Sequence, residues 1–169
     1  MTMTDPRPST QRLVARPGQS GIDPRSPRFG AGITAVLLLV VIGLSLGGAA
    51  SAAFVLFAVI TALFAWGAFA GVQRHPYGWL YRRFVRPRLE PPAHLEDPRP
   101  PTFAQDVGLV ITLVGLILFL LGVPYGLVIF AALAFIAAFL NSVFDYCLGC
   151  QIYLLLVRFG GRGRRSAQV

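Results

Sequence analysis

Two long stretches of the chain contain no charged residue. The first lies between Arg28 and Arg74, and the second lies between Asp106 and Asp145. A helix needs about 20 apolar residues to cross the hydrocarbon core of a bilayer, so each stretch is long enough for two crossings. Because the residues are apolar on all sides, rather than alternating as in a β-barrel, the pattern predicts an all-α membrane protein with four transmembrane helices.

Each uncharged stretch is interrupted near its middle, which predicts a tight turn between two helices. Gly47-Gly48 interrupts the first stretch and Gly122-Val123-Pro124 interrupts the second. Backbone groups in lipid must hydrogen-bond within the chain, which favours helices as the spanning form. The predicted helices cover about residues 33–46, 50–72, 107–121 and 127–146, the first and third extending outward through residues 29–32 and 102–106.

The polar ends of the chain differ in composition from this membrane domain. Residues 1–28 are rich in Pro, Ser, Thr and Arg and have few large apolar groups. Such a segment cannot bury enough apolar surface to offset the entropy lost on ordering, so it is predicted to be a disordered tail. The same argument predicts a disordered basic tail at 161–169, and it leaves 29–160 as the four-helix membrane domain.

The chain also contains an internal repeat. The segment from Asp23 to Phe29, Asp-Pro-Arg-Ser-Pro-Arg-Phe, precedes the first hairpin, and the similar segment from Asp97 to Phe103 precedes the second. After the hairpins, His75 aligns with Cys147. The sequence therefore predicts two tandem helical hairpins, repeat one at 23–89 and repeat two at 97–159. Two crossings in each unit give both units the same orientation, as in parallel repeats.

The segment after the first hairpin has the pattern of an amphipathic helix. Its apolar residues recur at helical spacing, while Arg82, Arg83 and Arg86 face away from them. Such a helix lies along a membrane interface, so these three arginines are predicted to contact lipid head groups. Pro87 is expected to end the helix. The apolar positions are Tyr77, Leu80, Tyr81, Phe84 and Val85.

The distribution of positive charge predicts the orientation. All 15 basic residues are arginines, and they lie before the first hairpin, between the hairpins and after the second hairpin. Short cytoplasmic segments are enriched in basic residues, which predicts a plasma-membrane protein with both termini in the cytoplasm. Because topology accounts for the arginines, nucleic acid is not an expected partner, whereas membrane lipids are. A competing interpretation is a signal peptide cleaved near Ala50-Ser51-Ala52, but a second apolar helix follows at once.

Most enzyme and transporter chemistry has no candidate residues here. The sequence lacks phosphate-binding, dinucleotide-binding and zinc-protease motifs, so no cofactor is expected and enzyme activity is left open. The interior of the predicted membrane core contains no charged residue, Asp106 and Asp145 lying at its edges, whereas ion-driven transporters usually keep ionisable groups inside the membrane. His75 and His94 are too far apart in the chain to predict a metal site by themselves.

Cys147-Leu148-Gly149-Cys150 is the one concentrated chemical feature, and it contains both cysteines of the chain. Two thiols three residues apart can share a helical turn, and this spacing can make a thiol more reactive. Four roles remain open for these cysteines: disulfide exchange, sulfur transfer, half of a metal site shared with another chain, or two inert buried side chains. The predicted cytoplasmic location disfavours a structural disulfide. Cys147 and Cys150 are therefore candidate redox residues whose Cα atoms are expected within about 7 Å.

Three features of the sequence resemble an uncharacterised bacterial membrane-protein family. They are the two proline-rich segments, the motif His75-Pro76-Tyr77-Gly78, and the cysteine motif with Tyr153. That family is catalogued as a domain of unknown function and is frequent in actinobacteria. The resemblance covers about Asp23 to Arg158. Members are often encoded near thioredoxin-like or sulfurtransferase proteins, which implies redox or sulfur chemistry with such a soluble partner. The family supplies no catalytic residues to transfer.

Two functional hypotheses follow. The first is a membrane thiol component in which Cys147 and Cys150 exchange electrons or sulfur with a cytoplasmic partner. The second is a non-enzymatic scaffold whose glycine faces and arginine-rich interface hold another membrane protein or anionic lipid. Gly43 and Gly47, four residues apart on one helix face, allow close helix approach, which favours packing within the chain over a dedicated dimer face. A small-solute permease is less favoured because the predicted core is poor in polar groups.

Overall fold

The computed structural model describes residues 21–165, with the side chains of residues 160–165 left out. Regular structure in this range is helical, apart from one antiparallel backbone pair between Ile22 and Glu96. The α-helices are α1 (Arg25–Leu46), α2 (Ala50–Ala70), α3 (Pro76–Leu80), α4 (Arg99–Leu120), α5 (Gly126–Phe144) and α6 (Leu148–Arg165), and shorter 3₁₀ or π-helical turns occupy Val72–Arg74, Tyr81–Val85 and Arg86–Arg88.

Four of these helices, α1, α2, α4 and α5, are long and apolar enough to cross a membrane, which confirms the predicted all-α fold class. The largest difference from the predicted bounds is at the starts of α1 and α4. Both begin directly after a proline, Pro24 or Pro98. Prolines are tolerated in the first turn of a helix, where the backbone N–H has no partner within the helix. The proline-rich segments therefore form first helical turns rather than loops.

The predicted tail boundaries also differ from the structure. Residues 21–28 were assigned to the disordered N-terminal tail, but they contain the Ile22–Glu96 backbone pair and the start of α1. At the other end, α6 continues to Arg165, beyond the predicted boundary at residue 160. Pairing with a distant segment and the continuation of a helix are not visible in local composition. The rest of both predicted tails, 1–20 and 166–169, lies outside the described residues.

Tight turns join the helices of each hairpin at the predicted positions. Gly48 and Gly122 have positive φ angles of 84° and 71°, which glycine adopts without steric cost. The backbone N–H groups that follow them, those of Ala49 and Val123, bond back to Leu44 and Leu118 at 2.9 Å. The turns end α1 and α4 and allow α2 and α5 to run back antiparallel to them.

Each helix of one hairpin packs mainly against a helix of the other hairpin. α1 contacts α5 most extensively, and α4 contacts α2. Small residues permit this approach, since Ala131 and Ala134 of α5 are buried and a Cβ at Gly67 of α2 would meet Gln105 of α4. A Cβ at Gly43 would meet nothing within 4 Å, so this glycine is not used for packing within the chain. The core consists of Leu38, Val41, Ala53, Phe57, Ile60, Leu127, Ala131 and Ala134.

The predicted amphipathic segment is helical, although its geometry changes along its length. An α-helical turn, Pro76–Leu80, continues as a π-helical turn, Tyr81–Val85, and ends as a 3₁₀ turn through Pro87. The helix thus ends one residue after Pro87. Phe84 was predicted on the apolar face with Tyr81, but it is half exposed and packs edge-on against Trp79. The wider π turn brings residues five apart together, which rotates Phe84 toward Trp79.

Candidate functional site

Cys147 and Cys150 lie where α5 ends and α6 begins. Asp145 has a positive φ of 58°, and the N–H of Tyr146 bonds back to the carbonyl of Leu140 at 3.2 Å. This backbone arrangement is a common helix end in which the residue after the helix adopts the left-handed conformation. It reverses the chain abruptly, so that Cys147 is the residue immediately before the first turn of α6.

The two cysteines are joined as a disulfide, with a Cα–Cα distance of 5.2 Å. The close approach agrees with the sequence prediction, because residues three apart at the start of a helix lie on one face. The expectation that a disulfide is disfavoured differs from the structure. That expectation rests on the predicted redox compartment, whereas the structure shows that the local geometry permits the bond.

Cys147 also caps α6. The backbone N–H of Cys150 donates to Sγ of Cys147 at 3.3 Å, and the N–H of Gln151 donates to the Cys147 carbonyl at 3.0 Å. The first N–H groups of a helix lack partners within the helix, and here a sulfur accepts from one of them. The partial positive charge of a helix N-terminus favours an anion at this position.

The two sulfurs belong to residues of different accessibility. Cys147 is half-buried, whereas Cys150 is only 9% exposed. Gly149, between them, faces α4 so closely that a Cβ there would lie 2.6 Å from both Cα and Cβ of Ala104. α6 packs mainly against α4, and Cys150 is the less accessible member of the pair, so Cys147 is the one that another molecule can reach more easily.

A charged pair lies beside the cysteines. Arg28 of α1 forms a salt bridge with Asp145 at 3.5 Å, and both side chains are partly exposed. An unpaired carboxylate two residues before Cys147 would disfavour a thiolate there by repulsion. The ion pair with Arg28 offsets that effect.

His75, which aligns with Cys147 in the repeat, caps a helix as well. Its Nδ1 accepts the N–H of Tyr77 at 3.2 Å, so Nε2 carries the proton and donates to the carbonyl of Leu63 at 3.0 Å. Burial lowers the pKa of His75 from 6.5, while the bond to Leu63 opposes that change. His75 is thus held neutral as a structural cap. Within the described part of the chain, no three His, Cys, Asp or Glu residues are grouped to hold a metal ion.

A buried polar network connects the start of α1 with the interfacial segment. Asp23 accepts hydrogen bonds from the backbone N–H and the Nε of Arg25, each at 3.0 Å, and from the hydroxyl of Tyr81 at 3.1 Å. Burial raises the pKa of Asp23, but the hydrogen bonds from Arg25 and Tyr81 outweigh it, so the pKa lies below 3.8. Sequence reasoning missed this network, although both residues occur in the repeated motifs.

The three predicted lipid-contact residues, Arg82, Arg83 and Arg86, are exposed. Arg82 donates to the backbone carbonyl of Gln73 at 3.2 Å. Tyr81, in the same segment, is by contrast only 1% exposed. The three arginines therefore form part of the protein surface.

Comparison with known families adds one finding. A family model described as a domain of unknown function, DUF4395, matches residues 22–158. No match was found among curated proteins or among solved structures. The matched range includes all four long apolar helices, the interfacial segment and the Cys147–Cys150 pair. This chain therefore belongs to the DUF4395 family.

Proposed function

We propose that the protein is an integral membrane thiol–disulfide exchange component in which Cys147 is the reactive residue. The observation that carries this proposal is the arrangement of the pair: Cys147 is half-buried at the N-terminus of α6 and is bonded to the more deeply buried Cys150. A structural pair has no need for this asymmetry. In an exchange pair, the accessible sulfur reacts with the partner and the buried sulfur completes the reaction.

The reaction balances as an exchange between two dithiol–disulfide pairs. A thiolate of a soluble dithiol protein attacks Sγ of Cys147 in line with the disulfide. A mixed disulfide forms and Cys150 leaves as a thiolate. The partner's second thiolate then attacks its own bonded sulfur, which releases Cys147 and yields the partner's disulfide. Two electrons pass to the Cys147–Cys150 pair, and the reverse sequence returns them. Because the sulfurs are close enough to bond, electron exchange is better supported than sulfur transfer.

The expected result of thiol trapping is asymmetric. After reduction, a membrane-impermeant maleimide added to inverted vesicles should label Cys147 quickly and Cys150 slowly, and mild oxidation should block both. The Cys150→Ser variant should accumulate mixed disulfides with an oxidised soluble protein, because Cys150 is no longer present to displace that protein from Cys147. The Cys147→Ser variant should not. Non-reducing gels and mass spectrometry of the trapped species measure the difference.

The double variant Cys147→Ser with Cys150→Ser is the control for these measurements. If neither thiol is labelled without detergent, and the double variant grows like wild type under oxidative and sulfur stress, the thiol proposal is wrong. The scaffold hypothesis would then account better for the protein, since it requires no reactive group.

We also propose that the domain is an internal duplication of 23–89 and 97–159. Equivalent side chains make equivalent contacts in the two units. The rings of Phe29 and Tyr81 are 5.8 Å apart, and those of Phe103 and Tyr153 are 5.7 Å apart, each pair with an interplanar angle of 51°. Ile22 forms a backbone pair with Glu96, 74 residues later (96 − 22). The same offset aligns Phe29 with Phe103 (103 − 29), so Ile22 and Glu96 occupy equivalent positions in the two units. Such a mutual pair is expected where a twofold axis passes between the units.

A parallel duplication with cytoplasmic termini requires the two hairpin turns to lie on the same, outer side of the membrane. Reporter fusions after Gly48 and Gly122 should both give the outside signal, and a fusion in the segment after Arg88 should give the inside signal. The motivation is the placement of arginines outside the hairpins. Opposite signals from the two turns would contradict the parallel arrangement, and inside signals from both would reverse the orientation.

A further inference from the structure

A groove of about 660 Å³ runs along α1 beside the interfacial segment. Its α1 wall begins at Arg25 and ends at Leu37, with positions between them recurring at helical spacing. Tyr81 and Val85 of the interfacial segment form the opposite wall, and Ser142 of α5 lies at its side. The groove therefore opens on the outer surface of the protein along α1, and not into the core between the helices.

The length of the groove matches one leaflet of a bilayer. Twelve residues separate Arg25 from Leu37 (37 − 25), and at about 1.5 Å per residue they extend about 18 Å along the helix. Half of the hydrocarbon core of a bilayer is about 15 Å thick. A groove that begins at the charged end of a spanning helix and continues this far reaches the level of the acyl chain ends.

The charged end of the groove offers donors to an anion. Arg25 is already bound to Asp23 and to the backbone carbonyl of Glu90. Arg28 makes one ion pair, a 3.5 Å contact through a single nitrogen with Asp145, and its side chain is 37% exposed. A guanidinium has five N–H donors in a fixed plane, so Arg28 retains donors for a second anionic group.

We propose that this groove binds one anionic phospholipid, with its phosphate at Arg28 and one acyl chain along α1. The inference does not depend on the thiol proposal. Lipid is favoured as the occupant because the apolar part of the groove lies on a helix long enough to span the membrane, and because the charged residues that line its end are the arginines Arg25 and Arg28.

The second repeat unit lacks this combination of an arginine and an apolar helix face. At the offset of 74 residues that aligns Asp23 with Asp97, Arg28 aligns with Thr102 and Gly32 aligns with Asp106. Thr102 uses its hydroxyl to bond the carbonyl of Pro98 at 2.7 Å. A carboxylate at Asp106 would be costly beside an acyl chain. We therefore expect one bound anionic lipid per chain rather than two.

Native mass spectrometry of the full-length protein, titrated with phosphatidylglycerol or phosphatidylcholine, tests the proposal. The wild-type protein should retain one phosphatidylglycerol preferentially. Arg28→Gln should weaken that binding roughly fivefold, the effect of one cation near a lipid surface, and weaken phosphatidylcholine binding less, because the choline cation offsets the charge of its phosphate. Arg158→Gln, at an exposed arginine outside both the groove and the interfacial segment, is the matched control and should have little effect.

A second variant tests the acyl part of the site without changing charge. A Cβ at Gly32 would have only an ordinary 3.8 Å contact with Ser142, so Gly32→Leu should fit and fill the groove. It should reduce retention of either lipid at this site, whereas Gly43→Leu, on an open face of the same helix, should not. If wild type shows no preference for phosphatidylglycerol, or if both Arg28→Gln and Gly32→Leu retain it as wild type does, the proposal is wrong.

Discussion

Replacing Gly149 with leucine is expected to detach the start of α6 from α4. A Cβ at position 149 would lie 2.6 Å from the backbone Cα of Ala104, and a backbone atom cannot move aside by a side-chain rotation. Overpacking of this kind costs about 1–3 kcal/mol or more. We expect the upper end of that range, although removing a glycine from a helix would by itself favour helix formation. Cys150 should become accessible because its cover against α4 is lost.

Hydrogen exchange measured by mass spectrometry is the direct test of this prediction. The backbone amides at the start of α6 should exchange faster in Gly149→Leu, while those of α1 should be unchanged. Maleimide should label Cys150 of the reduced variant nearly as fast as Cys147. Gly43→Leu is the control, since a side chain at position 43 meets open space. Unchanged exchange in α6 together with slow labelling of Cys150 would show that the contact between Gly149 and Ala104 does not hold the site.

Replacing Asp23 with alanine is expected to release the interfacial segment from α1. The change removes the acceptor of the Tyr81 hydroxyl, and Tyr81 is only 1% exposed. A buried donor without a partner costs about 1–3 kcal/mol, and hydrogen bonds to charged groups contribute about 1.5–3 kcal/mol. We expect a loss of about 2–4 kcal/mol of stability, measured by denaturant unfolding in detergent micelles.

Asp97→Ala provides the matched control for Asp23→Ala. Asp97 aligns with Asp23 and also accepts a backbone N–H, that of Arg99 at 2.9 Å, but this bond is exposed. Its loss should cost about 0.5–2 kcal/mol, as for other helix caps. Tyr81→Phe should recover part of the loss in Asp23→Ala, because it removes the donor that was left without a partner. Equal losses in Asp23→Ala and Asp97→Ala would contradict the proposed role of the buried network.

The same network predicts a dependence on pH. The pKa of Asp23 is lowered in the folded protein, from 3.8, by the hydrogen bonds that outweigh its burial. The unfolded chain therefore binds this proton more readily than the folded chain does. The stabilising contribution is fully present above pH 3.8 and is lost as the pH falls through the lower, folded-state pKa. Asp23→Ala should be correspondingly less sensitive to acid than wild type.

Local patterns in the sequence determined the number of long apolar helices, their turns and the helical interfacial segment. These features depend on hydrophobic periodicity, on glycine at positive φ and on charge-free length, all of which act between near neighbours. The close approach of Cys147 and Cys150 was predictable for the same reason, because residues three apart share one face of a helix. Hydrophobic periodicity alone predicts later starts for α1 and α4 than the structure has, because it does not include the polar, proline-rich first turns.

Only the tertiary structure decided which residues surround the site. Asp23 and Tyr81 are 58 residues apart in the chain, and neither the pairing of Arg28 with Asp145 nor the contact of Gly149 with Ala104 follows from any local period. The accessibility of Cys147 relative to Cys150 depends on α4 lying over one of them. The groove on α1 exists because the interfacial segment folds back beside that helix. Such contacts are set by how whole helices pack, so residue spacing along the chain does not reveal them.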